Sequence, residues 1–226
     1  MNKVSITRFI EKYYLNGNCS SVVLKSYGNK LSTRFITGDK NLLGELSMDN
    51  FSFDDVEMGV YNTEQLVKLL SVLNEKISID LTKAGDKAVS LKVSDSKSDV
   101  NYMLSDLSVI SQAPNMKSVP DFEVKIKVDK SFMSKFISGV SALPDAGNFT
   151  VIANDNDCKV VIGYAEINTN RVTIPVETEE LSKIENVAFS SNLLKDVLTA
   201  NKECDSATLE ISSKGPTRIQ FKVVDY

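Results

Sequence analysis

At 226 residues, with 42 % hydrophobic and 25 % charged side chains, the chain has the make-up of a globular protein that can bury a core, as one large domain or two small ones. Thirty acidic against 26 basic residues leave a formal charge of −4, and there is no histidine. That absence removes the commonest general base, the commonest transition-metal ligand and every imidazole-activated nucleophile, so most hydrolytic mechanisms are excluded.

The first predicted element is a helix over 5–15, where Ile6, Phe9, Ile10 and Tyr13 recur at helical spacing opposite Arg8, Glu11 and Lys12. Asn16-Gly17-Asn18 ends it. Strand patterns follow at 21–25, 31–37, 42–48 and 56–61, separated by turns that contain Gly, Asn or Asp. A second helix over 63–74 buries Leu66, Leu69, Leu70 and Leu73. A hairpin over 76–95 and a strand over 99–105 close the first half. Residues 107–121, with two prolines and no sustained period, read as a linker in which Val109, Ile110, Met116 and Val119 either line a groove or pin the segment down.

Beyond the linker come a strand over 122–128 and a helix over 131–143, with Phe132, Phe136, Ile137 and Val140 opposite Lys135 and Pro144 as its stop. Strands over 148–153, 159–165, 171–176 and 187–189 lead to a fourth helix, NLLKDVLTAN, and a second hairpin. The two hairpins are copies. KISIDLTKAGDKAVSLKVSD at 76–95 reappears without a gap as SATLEISSKGPTRIQFKVVD at 206–225, a constant offset of 130 that sets Gly85 on Gly215, Asp80 on Glu210 and Lys92 on Lys222. Tyr61-Asn62-Thr63 and Phe189-Ser190-Ser191 precede the copies in the same way, each a strand end and a capping residue before an amphipathic helix. The repeat predicts two similar domains, 1–106 and 122–226, of α+β class, each with two helices on antiparallel sheet. The second ends where the first begins its last strand, so it must close its sheet differently or have that edge filled by a neighbour.

No apolar run approaches the roughly 18 residues needed to span a bilayer, the N-terminus has no signal-peptide pattern, and Cys19, Cys158 and Cys204 are scattered. A cytoplasmic protein without membrane association is expected. Asp54, Asp55 and Glu57, or the run Asn154-Asp155-Asn156-Asp157, offer carboxylates to a hard cation, but the latter sits between strands as a turn and lacks the glycine and distal glutamate of a calcium loop. No glycine-rich phosphate loop precedes a helix. Neither metal nor cofactor is expected, nor any catalytic residue.

The charge is unevenly spread. Over 3–16, 62–76, 130–143 and 190–203 there are nine Lys and Arg against five Asp and Glu, while the rest of the chain carries 17 against 25. The cations concerned are Lys3, Arg8, Lys12, Lys68, Lys76, Lys130, Lys135, Lys195 and Lys202. Lysine opposite an apolar stripe is normal on a solvated helix. Repetition over four helices instead suggests a basic surface for phosphates, and the lack of an aromatic ladder disfavours single strands.

Two similar domains joined by a proline-containing connector, with basic helices in an acidic chain, resemble the DNA sliding clamps, the polymerase processivity factors. FDDVEMGVYNTEQLVKLLSVLNEKISID and the connector's APNMK are most similar to the clamps of T-even-like bacteriophages. The resemblance implies a non-catalytic homotrimeric ring of six domains around double-stranded DNA, tethering a DNA polymerase and placed by a clamp loader. It implies a DNA-facing set made of the nine cations above. It further implies a client-peptide pocket around Leu46, Val109, Ile110, Val224 and Tyr226. The subunit joint would pair Asp99, Val100, Tyr102 and Leu104 with Arg171, Thr173 and Pro175 of the next chain. The alternative is a processivity or scaffold protein of the same two-domain fold that grips DNA on one face without closing a ring.

Overall fold

The computed structural model describes residues 2–115 and 118–222, the side chain of Lys222 excepted. It divides into two compact units, Met1–Asn115 and Met116–Tyr226. The division falls inside the expected connector, whose first part belongs with the first unit.

The first unit begins with α1 (Lys3–Tyr14), started by Asn2, whose side chain accepts from the Val4 amide. Leu15, with a left-handed backbone (φ 45°), stops it. Strands β1 (Val22–Tyr27), β2 (Lys30–Ile36), β3 (Leu43–Asp49) and β4 (Val56–Val60) form an antiparallel sheet in the order β3-β2-β1-β4. Helix α2 (Thr63–Ser71), capped by Asn62, then leads to a second sheet, β5-β6-β7, built from β5 (Ser78–Ala84), β6 (Lys87–Ser94) and β7 (Asp99–Met103). Helix α2 ends three residues earlier than its leucine period predicts. Val72 and Leu73 donate to Leu69 and Leu70, so the last turn tightens to i→i+3 bonds.

After β7 the chain crosses onto β4, where the Ser105 amide donates to the Gly59 carbonyl at 2.9 Å. A Cβ on Gly59 would lie 2.2 Å from the Ser105 oxygen, so only glycine admits this crossing. The core fills the space between helices and sheets with Ile6, Phe9, Ile10, Leu24, Met58 and Leu66. It leaves an apolar cavity of about 40 Å3 among them.

The second unit opens with β8 (Val124–Asp129), followed by α3 (Lys130–Ala142). Asp129 caps α3 through the Phe132 amide at 2.7 Å. Strands β9 (Asn148–Ala153), β10 (Cys158–Ile162), β11 (Val172–Pro175) and β13 (Val187–Ser190) form a sheet in the order β11-β10-β9-β13. The run 154–157 is the turn between β9 and β10, closed by Asn154 N to Asp157 O at 2.8 Å. Among the described residues no three His, Cys, Asp or Glu gather as a metal site. A short strand that the pattern did not predict, β12 (Thr178–Glu180), joins β8, β14 (Ser206–Ile211) and β15 (Thr217–Lys222) in the order β12-β8-β14-β15. Helix α4 (Ser191–Ala200) precedes β14. Phe136 is fully buried, edge-on to Phe149 at 5.2 Å and stacked on Phe132.

The structure settles two points about the repeat that the sequence match leaves open. First, the copies are gap-free in sequence but not in structure. Asp80 stands opposite Lys92, whereas Glu210 stands opposite Arg218 rather than Lys222, the sequence match of Lys92. The first hairpin turns through Gly85 and Asp86, the second through residues 212–216, so the second arms are displaced along their partners. Second, of the two alternatives for the second unit, the described sheet is the one closed differently, on its opposite flank. Strand β8 pairs with β14 along its length and β12 extends it, while no described strand lies on the outer edge of β15. Among the described residues of the first unit, only the bridge Asn2–Lys76 occupies the position that β8 fills in the second. No described helix is long and apolar enough to cross a membrane.

Candidate nucleic-acid interface

Each unit sets two helices side by side. In the first, Lys3 at the start of α1 donates its ammonium proton to the Leu73 carbonyl, just past the end of α2, so the helices run antiparallel. In the second, Lys130 at the start of α3 meets Asp205, just past α4, at 2.5 Å. Both lysines were expected on a phosphate-facing surface. Each is first in its helix and reaches the exit of the partner helix, the same strut in both units, and the Lys130 side chain keeps most of its surface exposed.

The other cations divide by exposure and partner. Arg8 and Lys135 are exposed, and each lies six residues beyond the cap of its helix, Asn2 or Asp129, so they occupy the same position in the two units. Lys68 is exposed and bonded to Glu64 one turn earlier, and that bond raises its pKa. Lys12 and Lys195 are half-buried, and Lys76 and Lys202 are exposed at the exits of α2 and α4. Among the described residues Arg8, Lys76, Lys135, Lys195 and Lys202 make no ion pair, which leaves their charge available to an anionic partner. The shared place of Arg8 and Lys135 follows from the caps Asn2 and Asp129, which the sequence pattern, starting these helices at 5 and 131, did not supply.

Of the described residues expected around a client pocket, Leu46 does not meet the connector residues Val109 and Ile110. Leu46 stands opposite Thr33 and shares the sheet face of buried Leu31, Thr33 and Phe35. The connector meets the other face, where Arg34 donates to the Pro114 carbonyl at 2.7 Å and to the Asn115 side chain. Strand alternation therefore separates Leu46 from the connector. Ile110 is 4 % exposed, with its Cδ1 3.0 Å from the space above Gly59, so it pins the segment to the first unit. Val109 is exposed, and Val224 and Tyr226 lie outside the described residues. Arg34, which fixes the connector, gave no signal in the sequence beyond an outward position on a strand.

The expected joint falls on two edge strands, β7 and β11. Val100 and Tyr102 turn into their own unit, and the Tyr102 hydroxyl donates to the Asn62 carbonyl and accepts from its amide, both at 3.1 Å. Burial raises the pKa of that phenol. Leu104 lies just past β7 and its amide donates to Val89 at 2.8 Å. Asp99 lies 3.8 Å from Lys92 of its own unit. Arg171 precedes β11, while Thr173 and Pro175 are exposed on it, proline being tolerated on an edge where no ladder donor is needed.

Among solved structures the chain is similar to Proliferating Cellular Nuclear Antigen from Entamoeba histolytica, with a TM-score of 0.74 and 16 % identity over 98 % of this chain and 91 % of that one. The fold is the clamp fold. No protein-family model matches the sequence, and no curated protein matches it significantly. The clamp fold accounts for the order of elements in both units, helices and antiparallel sheets in two similar halves. At this identity the likeness is one of fold alone.

Proposed function

We propose that the chain is a sliding clamp of the type found in T-even-like bacteriophages, a homotrimeric ring that encircles double-stranded DNA and tethers a DNA polymerase. The observation that carries this reading is the clamp fold over nearly the whole chain, combined with Arg8 and Lys135 at one repeated position. Cations on helices touch phosphates without reading bases, so binding is independent of sequence and the ring slides. Arg8, Lys12, Lys68, Lys76, Lys135, Lys195 and Lys202 form this surface, with Lys3 and Lys130 holding the helices that carry it. No bond is made or broken by the protein. Its output is a high effective concentration of polymerase at the template.

Closure of the ring pairs the backbone edge of β7 with β11 of the next chain, an arrangement supported by both strands having one unpaired edge. A clamp loader opens the ring onto DNA, and the exposed Val109 remains the connector residue best placed for a client. Light scattering tests assembly: a species of three times the 24.9 kDa chain mass is expected, and a monomer at every concentration sinks the ring. Arg8→Ala with Lys135→Ala should leave that mass unchanged. It should flatten the dependence of log K on log salt by about 0.9 for each phosphate that is no longer neutralised.

A further inference from the structure

In the second unit a ladder of alternating charge crosses all four strands of the β12-β8-β14-β15 sheet. Glu180 lies 2.8 Å from Lys125, Lys125 stands opposite Glu210, and Glu210 is bonded to Arg218. The apolar side of the same pairing sets Val124 opposite Ile211, Ile126 opposite Leu209 and Val128 opposite Ala207. The first unit repeats the inner part of this arrangement. Asp80 on β5 stands opposite Lys92 on β6, and Lys92 lies 3.8 Å from Asp99 on β7.

Toward the outer edge of β5 the ladder stops on an acid. The bridge Asn2–Lys76 fixes the correspondence with Asp129–Ser206, since Asn2 and Asp129 are the caps of α1 and α3, and from it Ile79, Asp80 and Leu81 match Leu209, Glu210 and Ile211. Beyond that bridge no described strand covers β5. Ile79 and Leu81 are left half-exposed, and Asp80 makes no ion pair with another described residue. A free edge with half-exposed apolar side chains is a template for strand addition.

We infer that the free edge of β5 receives an extended segment of a partner protein, antiparallel to residues 78–82, with apolar residues opposite Ile79 and Leu81 and a lysine or arginine opposite Asp80. The occupant's chemistry is set by the molecule itself, because β8, VKIKVD, is the strand that satisfies the matching edge of β14. Backbone bonds supply the attachment, and the basic residue between two apolar ones sets register, because a slip of one position would put lysine against Ile79 or Leu81. The inference concerns one sheet edge and holds whether or not the ring reading does.

A synthetic peptide covering residues 122–131 is the probe, added to the full chain at up to about 1 mM, with hydrogen exchange as the readout. Exchange over 78–82 should slow by about tenfold at saturation, while β14 is unchanged. Asp80→Lys should weaken this protection by about fivefold, and a peptide carrying glutamate in place of its two strand lysines should restore it. That rescue separates charge matching from any effect of the substitution on folding. No slowing at the highest peptide concentration would overturn the inference, as would equal slowing of the unaltered chain by the glutamate peptide. Protection of 78–82 that grows with protein concentration alone would show a second copy of the chain on the edge, which also overturns it.

Discussion

Ile79 and Leu81 are half-exposed and Asp80 is exposed, while their counterparts Leu209, Ile211 and Glu210 are 1 %, 0 % and 5 % exposed. The alternation is the same in both copies; the surroundings differ. Strand β14 has neighbours on both sides, and β5 has one along most of its length. Burial of a strand face is thus a property of the sheet it joins, and one pattern can serve as an interior strand in one half and an edge in the other. The cores differ in the same sense. Phe9 and Phe136 each lie seven residues past a helix cap, yet Phe9 borders a cavity of about 40 Å3 and Phe136 sits among Phe132 and Phe149.

The largest expected effect comes from Phe136→Ala, which should destabilise the second unit by about 4 kcal/mol, against about 3 for Phe9→Ala, whose ring already lacks neighbours on the cavity side. Denaturant unfolding followed by exchange in each unit checks the order, and a larger loss at Phe9 would show that the cavity does not loosen its surroundings. Gly59→Ala should cost the first unit about 3 kcal/mol, because the new methyl meets the Ser105 carbonyl rather than a movable side chain. Exchange at Leu104 and Ser105 should rise first.

Glu210→Ala should cost about 2 kcal/mol by leaving Arg218 and Lys125 without their shared acid, discounted because Arg218 is partly solvated. Asp80→Ala should stay within about 0.5 kcal/mol. Equal losses at the two sites would erase the distinction between interior and edge.

The smallest effect is confined to acid. Asp95 accepts from the Asn74, Lys97 and Ser98 amides, and these bonds bring its pKa from 3.8 to about 2. Asp106, held by Ser108 and Lys87, is likewise lowered to about 2. A carboxyl whose pKa is lower folded than unfolded stabilises above the unfolded value and loses that contribution as pH falls through the folded one. Between pH of about 4 and 2, exchange near 74, 97–98 and 106–108 should therefore rise. Asp95→Asn should abolish the pH dependence at 97–98.

Helices and their faces were legible in the sequence because they rest on interactions within one or two turns, as were the starts capped by Asn62 and Ser190. The hairpins and the duplication were legible for the same reason. What only the tertiary structure decided is what each strand meets across the sheet: Arg218 opposite Glu210, Leu46 turned from the connector, Ile110 sealed over Gly59, and β5 left at an edge. These depend on residues far apart in the chain, where a turn longer by a few residues changes every partner while leaving the local alternation untouched.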